Sequence, residues 1–427
     1  MHNTSNIKLA LLITLFAACL IWPCTNSKAQ GNINMPYSMY GVGELRFNQY
    51  FQNLGMGGIS QGYRSNVSIN DVNPASYAAL DSTSFVFETT VFTHFYEQET
   101  RDLKQQSDFL SLGNISLGFP VTRWWSFAAG LKPYSQLGYN IRDVQEHPLA
   151  GTVSYFYQGS GGLNQLFLGS SFEPVNGLSV GANVSYLFGS LNYEASVKSD
   201  SIGVFQTNLV KANRVSGWVA GFGLQYRHDF ADNRHITIGA TYGGKQDVDV
   251  NSTETLRRKL PGETFYDTIA FVDLEDGRLS LPPYYGVGVY GRLNRQWSAG
   301  LDYQWQNWEA FEFLGKEENF SNSQQVAAGV KFNPTVETFP TLFHRLQYSA
   351  GVRYGQSYFQ PGEESLNEFG ISFGATIPIR GSLSALNLNF EYSRRGSVDD
   401  HFMKENFYRL NIGVNIYEHW FIRRRFF

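Results

Sequence analysis

Residues 178–188 read Leu-Ser-Val-Gly-Ala-Asn-Val-Ser-Tyr-Leu-Phe, and two interleaved sets run through them. Leu178, Val180, Ala182, Val184, Tyr186 and Phe188 are apolar throughout, whereas Ser179, Gly181, Asn183 and Ser185 are small or polar. A period of two places such sets on opposite faces of a strand. The alternation recurs in Trp218 to Tyr226, Ile236 to Tyr242, Trp297 to Trp305, Leu346 to Tyr354, Phe369 to Ile377 and Tyr408 to Ile416.

A soluble sandwich also alternates, but two features favour a membrane barrel. The segments are long, as tilted strands crossing a bilayer must be. Aromatics also bracket the apolar set: Trp297 and Trp305 are separated by roughly 20 Å along the membrane normal at ordinary strand rise and tilt, the spacing of two interfacial girdles. The polar set of Gly, Ser, Thr, Asn, Gln and scattered charges is expected to face water or a polar plug, because unpaired polar groups are costly in a dry core. Open sheet edges are equally costly in lipid, so the strands must close.

The expected fold is therefore all-β, a transmembrane antiparallel β-barrel of about fourteen strands with an N-terminal luminal hatch or plug. The strands are read near 83–98, 109–119, 124–142, 152–171, 178–195, 208–229, 235–250, 284–293, 296–312, 322–333, 345–355, 366–379, 383–395 and 406–417. Alternate connections are brief (Pro120 to Arg123, Pro174 to Gly177, Ala231 to Arg234, Asn294 to Arg295, Arg380 to Ser382), and these are assigned to the periplasm with both termini. Asn333 to His344 breaks that rule by its length, and the longest outer loop is expected from Asn251 to Pro283. An extra strand within Thr264 to Leu274 would change the count.

Four regions follow: a signal peptide at 1–29, a hatch segment at 30–80, the barrel at 81–417, and a basic aromatic periplasmic tail at 418–427. Lys8 precedes an apolar run from Leu9 to Trp22, Pro23 stops it, and Ser27 and Ala29 are the small residues a signal peptidase needs, so cleavage is expected after Ala29. An uncleaved anchor fits the length less well, and a lipoprotein acylated at Cys19 lacks the right flanks. Both cysteines, Cys19 and Cys24, lie in the removed part, which leaves no disulfide, thiolate nucleophile or Cys-bound metal. With 33 Lys+Arg against 37 Asp+Glu, nothing attracts nucleic acid.

Residues 31–81 do not alternate, and the economical place for them is the lumen. In this segment the chain resembles the FadL-type outer-membrane long-chain fatty acid transporter family (OMPP1/FadL/TodX-like). The likeness lies in Leu54-Gly55-Met56-Gly57-Gly58, in Asp71-Val72-Asn73-Pro74-Ala75, and in the aromatic and acidic first strand that follows. Pro133-Tyr134-Ser135, Gly161-Gly162-Leu163-Asn164 and Leu301-Asp302-Tyr303-Gln304-Trp305 with Trp308 extend it over most of the mature chain, and the glycine spacing looks more like the Bacteroidota branch. The resemblance implies a hatch ending in an Asn-Pro-Ala tripeptide, here Asn73, Pro74 and Ala75. Pro74 would fix a rigid corner, with Asn73 extended and free to hydrogen-bond the wall; a plain turn before the first strand is the alternative.

Leu54, Met56 and Ile59 are the apolar hatch positions available to line a ligand pocket. Inward charges are expected at Arg227, Arg292, Asp302, Lys331, Arg353, Glu391 and Arg409, paired with the hatch, since a plugged lumen leaves them little water, with a role in selectivity as the alternative. Gly286, Gly288 and Gly291 satisfy a dinucleotide pattern but sit within a strand, and Gly159 to Gly162 lacks the Lys and Ser/Thr of a phosphate loop. No catalytic constellation, cofactor or metal site is expected. Asp273, Glu275, Asp276, Glu363 and Glu364 are read as solvated outer-loop charge, with a divalent bridge to lipopolysaccharide as the sharper alternative. Arg423, Arg424 and Arg425 are read as a tail at the headgroups or a partner contact.

Two functions compete: movement of small hydrophobic molecules such as long-chain fatty acids across the outer membrane, and a non-transporting barrel subunit of an assembly or secretion complex. Expected partners are outer-membrane lipid and lipopolysaccharide, a hydrophobic ligand, and other outer-membrane proteins. An outer-membrane enzyme is the third and weakest class.

Overall fold

The computed structural model describes residues 34–46, 50–199, 201, 204–260, 262–317, 319–334, 342–360, 366–398 and 403–419. The expected signal peptide, residues 420–427 of the tail, and Glu363 and Glu364 lie outside them.

Fourteen antiparallel strands form one closed wall. They are β1 (Ser84–Glu99), β2 (Lys104–Pro120), β3 (Trp125–His147), β4 (Gly151–Val175), β5 (Leu178–Ser199), β6 (Gln206–Asp229), β7 (His235–Gly243 continued by Gln246–Lys259), β8 (Asp267–Leu281 continued by Tyr284–Arg292), β9 (Trp297–Gln306), β10 (Ser323–Phe332), β11 (Gln347–Gln356), β12 (Asn367–Pro378), β13 (Ala385–Arg395) and β14 (Lys404–His419). Each pairs with the next, and β14 closes on β1 from Lys404↔Glu99 to His419↔Ser84. Among the described residues no helix is long and apolar enough to cross a membrane.

The outward set is the apolar one. Val180, Val184 and Phe188 are exposed, whereas Ser179, Asn183 and Ser185 on the other face are buried. Exposed apolar side chains on the outside of a closed ring are what a lipid solvent requires. Neighbouring rings mark the outer interface: Tyr242, Tyr285 and Trp305 follow one another at 5.2 and 5.6 Å, with Tyr186 against Trp218 and Tyr392 against Tyr408, each at 5.2 Å. Trp297 on Phe332 at 4.7 Å marks the inner one.

Two readings are corrected. The stretch Asn251 to Pro283 is no loop: most of it continues the β7–β8 hairpin, paired from Leu281↔Gln246 to Asp267↔Arg258. Since Pro282-Pro283 only interrupts β8, as prolines do in a strand that cannot use their missing donors, the count stays fourteen. The last strand reaches His419, so Glu418 and His419 belong to the wall rather than to a tail. The exceptional connection Asn333 to His344 includes residues outside the described set and ends in a short helix, Leu342–Arg345.

Strand length divides the wall in two. β3 to β6 run 23, 25, 22 and 24 residues, whereas β9 to β11 run 10 each. The short strands span only between the girdles, so the upper parts of β3 to β8 stand clear of the bilayer on its outer side as an open six-stranded sheet.

Candidate functional site

Inside the barrel, the inward face of the wall meets residues 34–46 and 50–81, and three layers follow one another from the periplasmic end outward. The first is a polar clamp. Asn73 is fully buried and caps the 3-10 helix Pro74–Ala79, accepting from Ala75 N at 3.1 Å. Its amide donates to Gln61 O at 2.8 Å and to Leu224 O of β6 at 3.4 Å. Pro74 and Ala75 lie against Gly181 and Gly223, where a side chain would collide with them.

Asp302 of β9 accepts from Ser60 N at 2.6 Å and Gln61 N at 2.9 Å. Gly55 N and Gly57 N donate to Asn389 of β13 and Ser372 of β12, at 3.2 and 2.9 Å. Glu88 of β1 accepts from Ile69 N at 3.0 Å, and Lys132 of β3 pairs with Asp71 at 2.8 Å, both side chains buried. Backbone donors buried without water must find partners, and here the wall supplies them. Contact is close enough that glycine is obligatory in places: a Cβ on Gly239 would stand 1.8 Å from Gln61 O, and one on Gly351 2.2 Å from Gly57 N.

The second layer is ionic. Arg353 and Arg409 both contact Glu368 and Glu391, with Arg353–Glu391 at 2.9 Å and Arg409–Glu368 at 3.1 Å. Arg395 joins Glu405 at 2.5 Å and Glu44 of the leader at 2.8 Å. Arg46, buried as well, reaches the His94 ring at 3.1 Å. Charges taken out of water need such mutual pairing.

The third layer is apolar. Leu187 and Leu191 continue the inward row of β5 beyond Ser185 and are fully buried among Val42, Tyr134, Leu163, Val215, Val250 and Leu279. Trp308, Phe311, Phe320 and Tyr358 cover them from the outer loops, and the Tyr358 hydroxyl donates to Gly43 O at 2.9 Å. The expectation that the inward face is polar throughout is thereby corrected: it turns apolar in its outer half, where loops rather than water cover it.

Of the sequence-predicted positions, Asp302 holds the leader backbone, and Arg353, Glu391 and Arg409 form one cluster. Lys331 lies over the Tyr63 ring at 5.3 Å. Arg227 pairs with Asp229 at 2.7 Å near the periplasmic end, and Arg292 is half-buried nearby. Leu54, Met56 and Ile59 are not gathered around one cavity. Leu54 packs on Phe51 and Phe92; Met56 and Ile59 pack with Tyr290 and Ala327. Glu368, Arg395 and Glu405 were missed, although each has the inward parity of Glu391 or Arg409 on its own strand or ladder.

A cavity of about 150 Å³ is lined by Glu44, Arg46, Arg353, Glu368, Arg395 and Arg409 among others. A second of about 50 Å³ lies beside Asp71, Pro74 and Lys132. The wall has a gap. β2 pairs with β3 only from Ile115 to Pro120, so among the described residues no strand lies on that side of its upper part, Lys104 to Asn114. The facing edge of β3 is taken by the leader, through Glu44↔Gln136, Leu45↔Ser135 and Met35 N to Gly138 O at 2.8 Å.

A family model described as BamG matches residues 11–427. Among solved structures, the toluene transporter TodX of Pseudomonas putida superposes with a TM-score of 0.60 at 16% identity, covering 88% of this chain and 99% of TodX. A FadL homologue of Pseudomonas aeruginosa gives 0.56 at 14%, covering 86% and 98%. The CymD monoaromatic hydrocarbon channel gives 0.58 at 13%, covering 89% and 99%. At these identities the likeness is one of fold. No curated protein matches the chain.

Proposed function

The chain belongs to the BamG family, and from that premise we propose that it is a closed outer-membrane barrel acting as a non-transporting subunit of an outer-membrane protein assembly. The observation that carries this reading is the filled interior. Leader backbone lies directly on wall glycines, an ionic layer covers it, and the Trp308 and Tyr358 rings cap the outer end. Pockets that hold small ligands commonly measure about 300–1,000 Å³ and are mostly apolar. The cavity at the ionic layer has about half the lower figure, and four arginines line it. The expected lipid and lipopolysaccharide contacts belong to the outer surface in this reading.

Gentle detergent extraction with mass analysis, beside uptake of toluene and oleate into liposomes holding the purified chain, tests it. A stoichiometric partner and uptake no faster than in empty liposomes are expected. Solute uptake by a chain that always purifies alone would overturn the proposal.

A second reading, passage of small hydrophobic molecules, is favoured by the gap between β2 and β3. By register with Tyr408, Phe95 of β1 stands at the outer girdle and faces Asp108 of β2, so Phe109 to Asn114 edge the gap at the depth of the outer leaflet. An apolar solute leaving the lumen would find lipid there. It requires displacement of Asn34 to Arg46 from the β3 edge, and the uptake measurement separates the two readings.

A further inference from the structure

The open sheet that rises above the outer girdle has two edges, and they are built differently. On the β3 side the stretch with no pairing strand among the described residues is Ile141 to His147, and it reads Ile-Arg-Asp-Val-Gln-Glu-His. Charged and polar residues at an edge discourage pairing with other chains. On the β8 side, Asp267–Leu281 pairs with β7 from end to end apart from two bulges, but on its other side the only ladder among the described residues is Leu279↔Phe313 and Ser280↔Glu312. From Asp267 to Gly277 nothing among the described residues pairs with that edge.

Here apolar side chains stand on both faces, among acidic ones. Phe271 is 62% exposed, and Ile269, Val272 and Leu274 are each about half exposed. Lipid does not account for this, because Tyr285 of the same strand already stands at the outer girdle. Phe271 is fourteen residues beyond it, some 35 Å at usual strand rise and tilt. Register shifts at Thr268/Ala270 and Leu274/Gly277 bracket a regular run, Ala270 to Leu274, so the usable edge is short and defined.

We propose that Ala270 to Leu274 is a docking edge that takes an extended segment of a different protein as an added strand. This deepens the assembly-subunit reading and rests on it. Main-chain bonds to the edge would give affinity, and alternate side chains would meet Phe271 on one face and Val272 and Leu274 on the other. Charge selects the occupant. Asp267 to Gly277 contains Asp267, Asp273, Glu275 and Asp276 and no base. Two copies of this edge would repel, so the partner segment is apolar and carries Lys or Arg.

The full chain in detergent, with a synthetic decapeptide alternating valine with lysine and threonine, tests the proposal by hydrogen–deuterium exchange. Amides of 270–274 are expected to slow by about tenfold or more on peptide addition, as added strands protect an edge, with no change at 142–146. A glutamate-for-lysine peptide and a proline-interrupted one should leave them unchanged, and so should the first peptide on Phe271→Lys/Val272→Lys chain. Heat-modifiable gel migration confirms that this variant keeps its barrel. Equal protection of both edges, binding that survives the double substitution, or protection of 270–274 by self-association alone would overturn it. Because the uptake measurement is independent, failure at this edge is distinguishable from failure of the scaffold reading.

Discussion

Tyr358 lies flat on Trp308, ring centroids 3.9 Å apart and planes 14° from parallel, and the pair closes the outer end of the barrel. Trp308 is fully buried and its indole N–H donates to Gln306 Oε1 at 2.9 Å. The Tyr358 hydroxyl reaches Tyr40 O and Gly43 O. Cap and leader are thus one packed unit.

Trp308→Ala should therefore cost about 3–5 kcal/mol, as large aromatic truncations in packed cores do. The lower temperature of the heat-modifiable gel shift reads this directly. The variant should also admit small solutes to the outer interior, visible as faster quenching of the fluorescence of buried tyrosines such as Tyr134 and Tyr358.

Asn73→Ala removes a cap and the amide bonds to Gln61 and Leu224 carbonyls. A loss of about 1–3 kcal/mol is expected from the cap together with the stranded acceptors. Asn73→Asp should keep the cap but lose the donor, giving an intermediate result. Exchange of the amides of 60–77 is the measurement.

Gly239→Val cannot be accommodated with Gln61 in place, since even a Cβ would meet its carbonyl. The barrel should form while the leader is displaced. Planar-bilayer recording should then show conductance that the parent chain lacks.

Arg409→Met leaves Glu368 and Glu391 sharing Arg353 alone. Breaking a buried ion network on one side typically costs about 3–5 kcal/mol, whereas removing both partners costs less than the sum. Arg409→Met/Glu391→Gln should therefore be more stable than additivity predicts. Denaturant unfolding of the four species of the cycle provides the comparison.

Sequence reading succeeded where one face met lipid and the other met a polar leader. In β5 the rows led by Val180 and Ser179 separate cleanly, and the strand boundaries read there lie close to those observed. It failed where a strand has water on both sides. The β7 and β8 extensions, with Thr253 to Lys259 and Asp267 to Leu274, carry no period because neither face is selected by lipid, so they read as loop. Pro282 and Pro283 strengthened that misreading.

The site was legible by the same logic and within the same limits. Parity places Asp302, Arg353, Glu391 and Arg409 inward, and the same parity holds at Glu368, Arg395 and Glu405. Leu187 and Leu191 also had inward parity. Their partners, Trp308, Phe311 and Tyr358, come from loops, whose packing no strand period announces. Arg46 and Glu44 precede the first barrel strand by forty residues or so, in a segment whose local pattern carries no facing information.

The leader is seated against the wall, and hydrogen–deuterium exchange at the amides of 55–61 in the full chain tests that most directly. Protection comparable to that of β12 and β13 is predicted, because Gly55 N, Gly57 N, Ser60 N and Gln61 N all donate to buried wall side chains. Complete exchange of these amides on the timescale of exposed loops, with β12 and β13 still protected, would contradict it.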